Sequence, residues 1–389
     1  MFEIDDAKGQ TAKIKVVGVG GAGGNTINNM INSGLQGVDF IAVNTDTQVL
    51  ETSLAATKVQ IGASITRGLG AGADPQIGRQ SALEDRSALA EALGGADLIF
   101  ITAGMGGGTG TGASPVIASV AKELGALTVA IVTKPFFYEG KSRILKADEG
   151  IKELKSNVDT FIVIPNDRIA HVVEKKVSFQ KGFAITDDVL KQAIQGISDI
   201  ILTPGLINVD FADVKTAMLN TGRAVMGVGI GRGEGGAIEA AKKAITNPLL
   251  EDSSIEGARG ILINISGGAQ LSLGDVQEAA SIIYDSAHDA ANIIFGAVVN
   301  SDVEDEVKIT VIATGFEEKK EKVELPQVKK WTPSPLPMRE PLSYRGSERL
   351  LAKTISPAVS IDSLPSDLLS YEDPLDVPAF LRKASQRTM

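Results

Sequence analysis

At 389 residues the chain is long enough for two domains and a tail. Its net charge of −10 argues against nonspecific binding to nucleic acid or acidic membranes, though not against a nucleotide held by main-chain amides. There is no cysteine, which rules out disulfides and thiolate metal centres, and with only His171 and His288 no histidine-rich metal site is assigned.

The first residues, Met-Phe-Glu-Ile-Asp-Asp, are acidic and carry no leader pattern. No apolar run is long enough to span a bilayer, so the expectation is a soluble, cytoplasmic chain without direct membrane insertion. A β-branched run at 13–17 leads into Val16-Val-Gly-Val-Gly-Gly-Ala-Gly-Gly-Asn25. There the spacing Gly18, Gly20, Gly23 is the dinucleotide fingerprint between a strand and a helix. The helix is expected from about Gly24 to Gly34, with Ile27, Met30 and Ile31 on one face. A second strand at 39–43 precedes Asn44-Thr-Asp46, where Asp46 is the acid an NAD ribose would use. Gly68-Leu-Gly-Ala-Gly-Ala-Asp-Pro75 reads equally well as a lid over a terminal phosphate or as a surface loop.

The strand at 98–102 leads into the densest signal, Gly104-Met-Gly-Gly-Gly-Thr-Gly-Thr-Gly112. Glycine lets backbone N–H groups approach a ligand, and a helix start adds unpaired donors and a positive dipole end. No lysine is present, so this is not the lysine-bearing phosphate loop. The helix behind it is expected over 114–124, with Pro115 in the first turn. Two glycine cradles at one sheet crest suit a triphosphate better than a dinucleotide. Strands at 127–133 and 160–164 continue a Rossmann-type parallel sheet, whose ligands sit at the carboxyl ends of the strands.

A long helix is expected over 186–202. The second half changes rhythm: helices at 211–219, 237–245 and 275–287, strands at 224–230, 260–265, 293–299 and 307–314, hence a smaller mixed sheet. After Phe316 lie nine of the fifteen prolines but only one glycine, Gly346, the composition of a disordered linker. Residues 371–389 are again denser in apolar side chains.

Gly106-Gly-Gly-Thr-Gly-Thr-Gly112 resembles the tubulin-type phosphate loop. With Asn208-Val-Asp-Phe-Ala-Asp-Val214 and the tail Asp376-Val-Pro-Ala-Phe-Leu-Arg382, the whole chain resembles the FtsZ family of bacterial tubulin-like cell-division GTPases. The resemblance implies a tubulin-like α/β fold in six segments. These are an N-terminal extension (1–12), a GTP-binding domain (13–183), a central helix (184–204), a smaller mixed α/β domain (205–316), a disordered linker (317–370) and a partner-binding peptide (371–389).

By the same resemblance, GTP is substrate, GDP product, and Mg2+ offsets phosphate charge. Gly21, Ala22, Gly23, Gly24 and Asn25 form the first nucleotide loop, with Ala22 in place of a glycine common there. Gly108, Thr109 and Gly110 contact phosphate. Glu139 and Arg143 contact ribose and nucleotide, being four apart on an expected helix; without the resemblance they read as a surface ion pair. Asn166 and Asp187 bind guanine, whose N1 and N2 donors suit an acceptor-only carboxylate, and Phe183 stacks on the base. The plain alternative for Asp187 is a helix cap.

Asp210 and Asp213, assisted by Asn208, are the implied catalytic residues, entering the pocket of the next subunit in a head-to-tail filament. Otherwise they are ordinary helix-start acids. The implied partners of the tail are membrane tethers such as FtsA and division regulators, at a mid-cell ring. Two other function classes stand beside this one: a nicotinamide dehydrogenase, and a nucleotide-sensing scaffold without hydrolysis.

Overall fold

The computed structural model describes residues 12–316 apart from 173–177, 204, 206, 208, 249–254, 269, 289 and 300–304. Asn208, the expected linker and the expected terminal peptide therefore lie outside the described residues, as does the expected N-terminal extension except for Ala12.

β1 (Ile14–Val19) runs directly into α1 (Gly20–Asn32) and is followed by β2 (Val38–Asn44), α2 (Thr47–Glu51), β3 (Thr57–Gln60) and α3 (Ala63–Thr66). Next come α4 (Pro75–Glu84), α5 (Arg86–Leu93), β4 (Leu98–Gly104), α6 (Thr109–Glu123) and β5 (Leu127–Lys134). A 3-10 turn (Phe137–Glu139) leads to α7 (Lys141–Lys155), β6 (Thr160–Pro165), α8 (Asn166–Val172) and the long α9 (Phe179–Leu202). The last part holds α10 (Phe211–Met218), β7 (Gly222–Arg232), α11 (Gly236–Ile245), β8 (Gly260–Gly267), α12 (Leu273–Asp285), β9 (Asn292–Val299) and β10 (Glu306–Thr314).

The strands form one ten-stranded sheet in the order β3-β2-β1-β4-β5-β6-β7-β10-β8-β9. Neighbours from β3 to β7 run parallel. β10 is antiparallel to both β7 and β8, and β8 and β9 are parallel. The smaller mixed sheet expected from the sequence is therefore continuous with the parallel one. The seam is narrow: β6 and β7 pair only over Thr160–Ile162 and Gly222–Ala224. Pro165 ends β6 without an N–H to offer to β7.

Burial on both faces explains why the central strands read as continuous apolar runs. The first six residues of β4 are all buried. One core cluster lies where α1, α9 and α10 cover the sheet, with Met30, Phe100, Ile197 and Met226 in it. A second packs α5, α6 and α7 on the opposite face of the parallel part, and a third packs α11 and α12 on the last strands.

Three helix starts differ from expectation. α1 begins at Gly20 and α6 at Thr109, inside the glycine stretches rather than after them, so Pro115 sits within α6 instead of its first turn. Glycine costs about 1 kcal/mol per helical position, but close packing here outweighs that propensity. A side chain on Gly18 would lie 2.4 Å from the Gly23 carbonyl oxygen, and one on Gly112 1.9 Å from that of Pro75. α9 starts at Phe179, five residues before the expected central segment, because the Ser178 hydroxyl accepts from the Lys181 N–H and caps it.

Candidate nucleotide site

β1 and β4 are adjacent and in register from Ile14↔Leu98 to Val19↔Ala103, so α1 and α6 begin side by side at the sheet crest. Their first turns touch backbone to backbone. Gly20 has φ +72°, and a side chain there would lie 2.9 Å from the Gly110 nitrogen. Neither helix start carries a side-chain cap or an acidic residue in its first turn. Two sets of orphan N–H groups and two positive dipole ends therefore converge without internal neutralisation, the arrangement that binds phosphate.

A cleft of about 380 Å3 opens at this junction. Gly21, Ala22, Gly108, Thr109 and Gly110 line its phosphate-competent end. Glu139, Arg143, Asn166 and Phe183 are among the residues that line the rest. Ala22 is matched by its surroundings: a side chain on Gly104 would come within 2.6 Å of the Ala22 methyl carbon. Gly23, Gly24, Asn25 and Asp187 are not among the residues that line the cleft. Gly23 is a packing residue, whose side chain would meet the Thr102 carbonyl oxygen at 2.5 Å.

The third glycine loop closes over the second. A side chain on Gly108 would lie 2.8 Å from the Ala71 methyl carbon and 2.9 Å from the Asp74 nitrogen. The Ala73 carbonyl accepts a 2.7 Å hydrogen bond from Lys146 on α7, which ties the loop down. Asp46 is not a ribose acid. Its carboxylate accepts from the Gln48 and Val49 N–H groups and caps α2, which deprives the dinucleotide reading of its companion acid.

Asn166 is 5% exposed at the end of β6, and its side-chain oxygen has no hydrogen-bond partner among the described residues. A buried acceptor in that state is costly unless a donor arrives. The Phe183 ring stands edge-on to Phe136 at 5.5 Å, and Phe136 stacks on Tyr138 at 5.0 Å. Asp187 lies one turn further along α9, inside the helix rather than at its cap. Its carboxylate accepts from the Thr26 hydroxyl of α1 at 2.6 Å. Burial raises the Asp187 pKa, and the Thr26 hydrogen bond opposes that rise.

Glu139 and Arg143 form a 2.6 Å ion pair, but not on one helix: Glu139 ends the 3-10 turn and Arg143 belongs to α7, with Gly140 between them at φ +102°. The other Glu139 oxygen accepts from the Phe136 N–H and fixes that turn.

Asp210 and Asp213 stand apart from the cleft. Both are exposed at the start of α10, and Asp210 makes no side-chain cap bond. Their neighbour Val209 and Ile200, in the last turn of α9, both lie within 4 Å of where a Gly296 side chain would be. From Asp187 to Ile200 is roughly 20 Å of helix at 1.5 Å per residue. The sequence reading passed over Thr45, Thr26 and Phe136. Thr45 follows the carboxyl end of β2, where ligands of parallel sheets gather, and that was the available signal.

Residues 13–174 match the Tubulin/FtsZ family GTPase domain, and residues 222–317 match the FtsZ family C-terminal domain. The chain belongs to the FtsZ family. Among solved structures it is similar to an FtsZ dimer, empty, from M. jannaschii, with 43% identity and a TM-score of 0.76 over 79% of this chain and 89% of that one. A mutant FtsZ from M. jannaschii gives 43% identity and a TM-score of 0.75, over 79% and 92% of the two chains. CetZ2 from Haloferax volcanii, a GTPγS-bound protofilament, shares the fold at 22% identity and a TM-score of 0.67, over 79% and 94%. The fold is thus the tubulin-like α/β fold, and the FtsZ-family GTPase domain supplies GTP binding and GTPase activity in general. No described helix is long and apolar enough to cross a membrane.

Proposed function

We propose that this chain is a cytoplasmic filament protein of bacterial cell division that hydrolyses GTP to GDP and phosphate at a site completed by the next subunit. The phosphates lie at the joined starts of α1 and α6, between the Gly21–Asn25 loop and Gly108, Thr109 and Gly110. Gly23 serves this loop by allowing its tight packing. Glu139 and Arg143 flank the ribose. Asn166 and Asp187 take the guanine edge beside Phe183. The unpartnered Asn166 oxygen and the acceptor-only Asp187 carboxylate both match guanine N–H donors.

Among the described residues no group of three or more histidine, aspartate or glutamate side chains could hold a metal ion. The phosphates themselves, not a protein carboxylate cluster, would hold Mg2+, which supplies charge neutralisation when bound.

One observation carries the shared-site reading. Asp210 and Asp213 follow Val209, which sits beside Ile200 at the far end of α9, roughly 20 Å of helix beyond Asp187. Their carboxylates are exposed, as groups that orient an attacking water in another subunit must be. Leu69, Phe137 and Leu273, each more than 70% exposed, are apolar surface that subunit stacking would cover. A head-to-tail contact of unlike faces generates an open filament. The FtsZ dimer among the similar structures also supports self-association. Asn208 assists the two acids in this reading.

Residues 371–389 attach the filament to membrane tethers such as FtsA and to division regulators at the mid-cell ring, and no nucleic acid takes part. Hydrolysis per subunit should rise steeply once protein concentration passes the assembly threshold. A rate unchanged down to dilutions without polymer would sink the shared site. Binding of tethers by a chain lacking 371–389 would sink the tail assignment.

A further inference from the structure

Beside the cleft lies a hydroxyl pair of which the nucleotide roles above use only Thr109. Thr45 is fully buried just past the end of β2, and its hydroxyl oxygen lies 2.6 Å from that of Thr109, the first residue of α6. The Thr45 backbone is itself anchored. The Thr66 hydroxyl shares its one proton between the Thr45 carbonyl at 3.2 Å and the Gly62 carbonyl at 2.9 Å, and the Thr66 oxygen accepts from the Gly68 N–H at 3.3 Å, where the third glycine loop begins.

A hydroxyl owns one proton and two acceptor sites. Phosphate oxygens are acceptors at neutral pH. If Thr109 faces a phosphate, its single proton goes to that phosphate. The 2.6 Å contact then survives only if Thr45 is the donor and Thr109 the acceptor.

We infer that Thr45 is a positioning residue for nucleotide binding: its hydroxyl donates to Thr109 and so commits the Thr109 proton to the phosphate. This rests on the GTP reading of the cleft. Thr45 does not need to touch the nucleotide. It acts through Thr109, and the Thr66–Gly68 contacts hold it at the root of the loop that packs on Gly108.

The test is a double-mutant cycle on GTP affinity in the full chain, below the assembly threshold, with melting temperature recorded for each variant. Thr45→Val should weaken GTP binding by about fivefold to tenfold, the worth of one net hydrogen bond. Thr45→Ser should bind as the parent does. In a Thr109→Val background, Thr45→Val should cost nothing further, because the group it positions is gone.

Additive losses in the cycle would overturn the inference, since a role through general packing predicts them. So would a Thr45→Val variant of parental affinity beside a weakened Thr109→Val. If Thr109→Val itself bound GTP normally, the cleft assignment would fail first, and the inference with it.

Discussion

The two ends of α9 are built on opposite plans. At its N-terminal end the site is mostly main chain: two helix starts pressed together at Gly20 and Gly110, with a few side chains closing the walls. At its C-terminal end, Asp210 and Asp213 are exposed side chains on a short helix that no cap bond from Asp210 secures. The first end can bind on its own, because its donors are fixed before any ligand arrives. In the proposed reading the second acts only on a neighbour's nucleotide, since Asp210 and Asp213 do not line their own subunit's cleft. On the reading proposed above, dividing binding from catalysis along one helix would make turnover answer to assembly.

The sharpest way to break this contrast is at the acidic end. Asp213→Ala should keep GTP affinity within about twofold and lose about a hundredfold or more in hydrolysis, the usual worth of a positioned acid or base. Loss of binding would move Asp213 into the subunit's own pocket. Equilibrium GTP binding with steady-state phosphate release reads both quantities.

At the main-chain end, Asp187→Asn should weaken GTP binding by about a hundredfold, since the amide opposes a guanine donor with a donor and orphans it. Because burial raises the Asp187 pKa, GTP affinity should already fall with decreasing pH above the ordinary carboxylate value of 3.8. Affinity measured across the acid range checks this.

Gly112→Ala tests the packing of the crest directly. The new methyl carbon would sit 1.9 Å from the Pro75 carbonyl oxygen, so α4 and α6 must part. A loss of about 1–3 kcal/mol in unfolding free energy is expected, with weaker nucleotide binding. An unchanged melting curve would contradict the close approach.

The smallest effect concerns the shaft between the two ends. Burial pushes the Asp199 carboxyl up to about 6, with Lys308 opposing the rise. A native pKa above the unfolded value means the folded chain holds this proton more tightly. The group's contribution is full below 3.8 and is lost as pH rises through about 6. Asp199→Asn should remove that falling component from the urea midpoint across this window.

Much of the architecture was legible in the sequence, for identifiable reasons. Strands buried on both faces gave apolar runs, and β2, β4 and β5 were read to within one or two residues. β3 escaped notice because it is four residues long with two exposed. The starts of α1 and α6 were misplaced because low propensity hid positions whose glycines are required by contact with another element. The cleft was legible wherever backbone made it, since glycine spacing is written in the chain. Thr45 was not, because its meaning lies in a hydroxyl 64 residues away. Asp46 misled for the mirror reason: its carboxylate is spent on the amides of its own helix.

The division of labour across subunits is tested most directly by mixing two dead proteins. Asp187→Ala should lack GTP binding but keep an intact acidic loop, while Asp213→Ala should bind GTP without cleaving it. If catalysis is completed by a neighbour, the mixture should recover a substantial fraction of parental phosphate release once co-sedimentation shows both variants in the same polymer. Mixed polymer with no recovered hydrolysis would contradict the account.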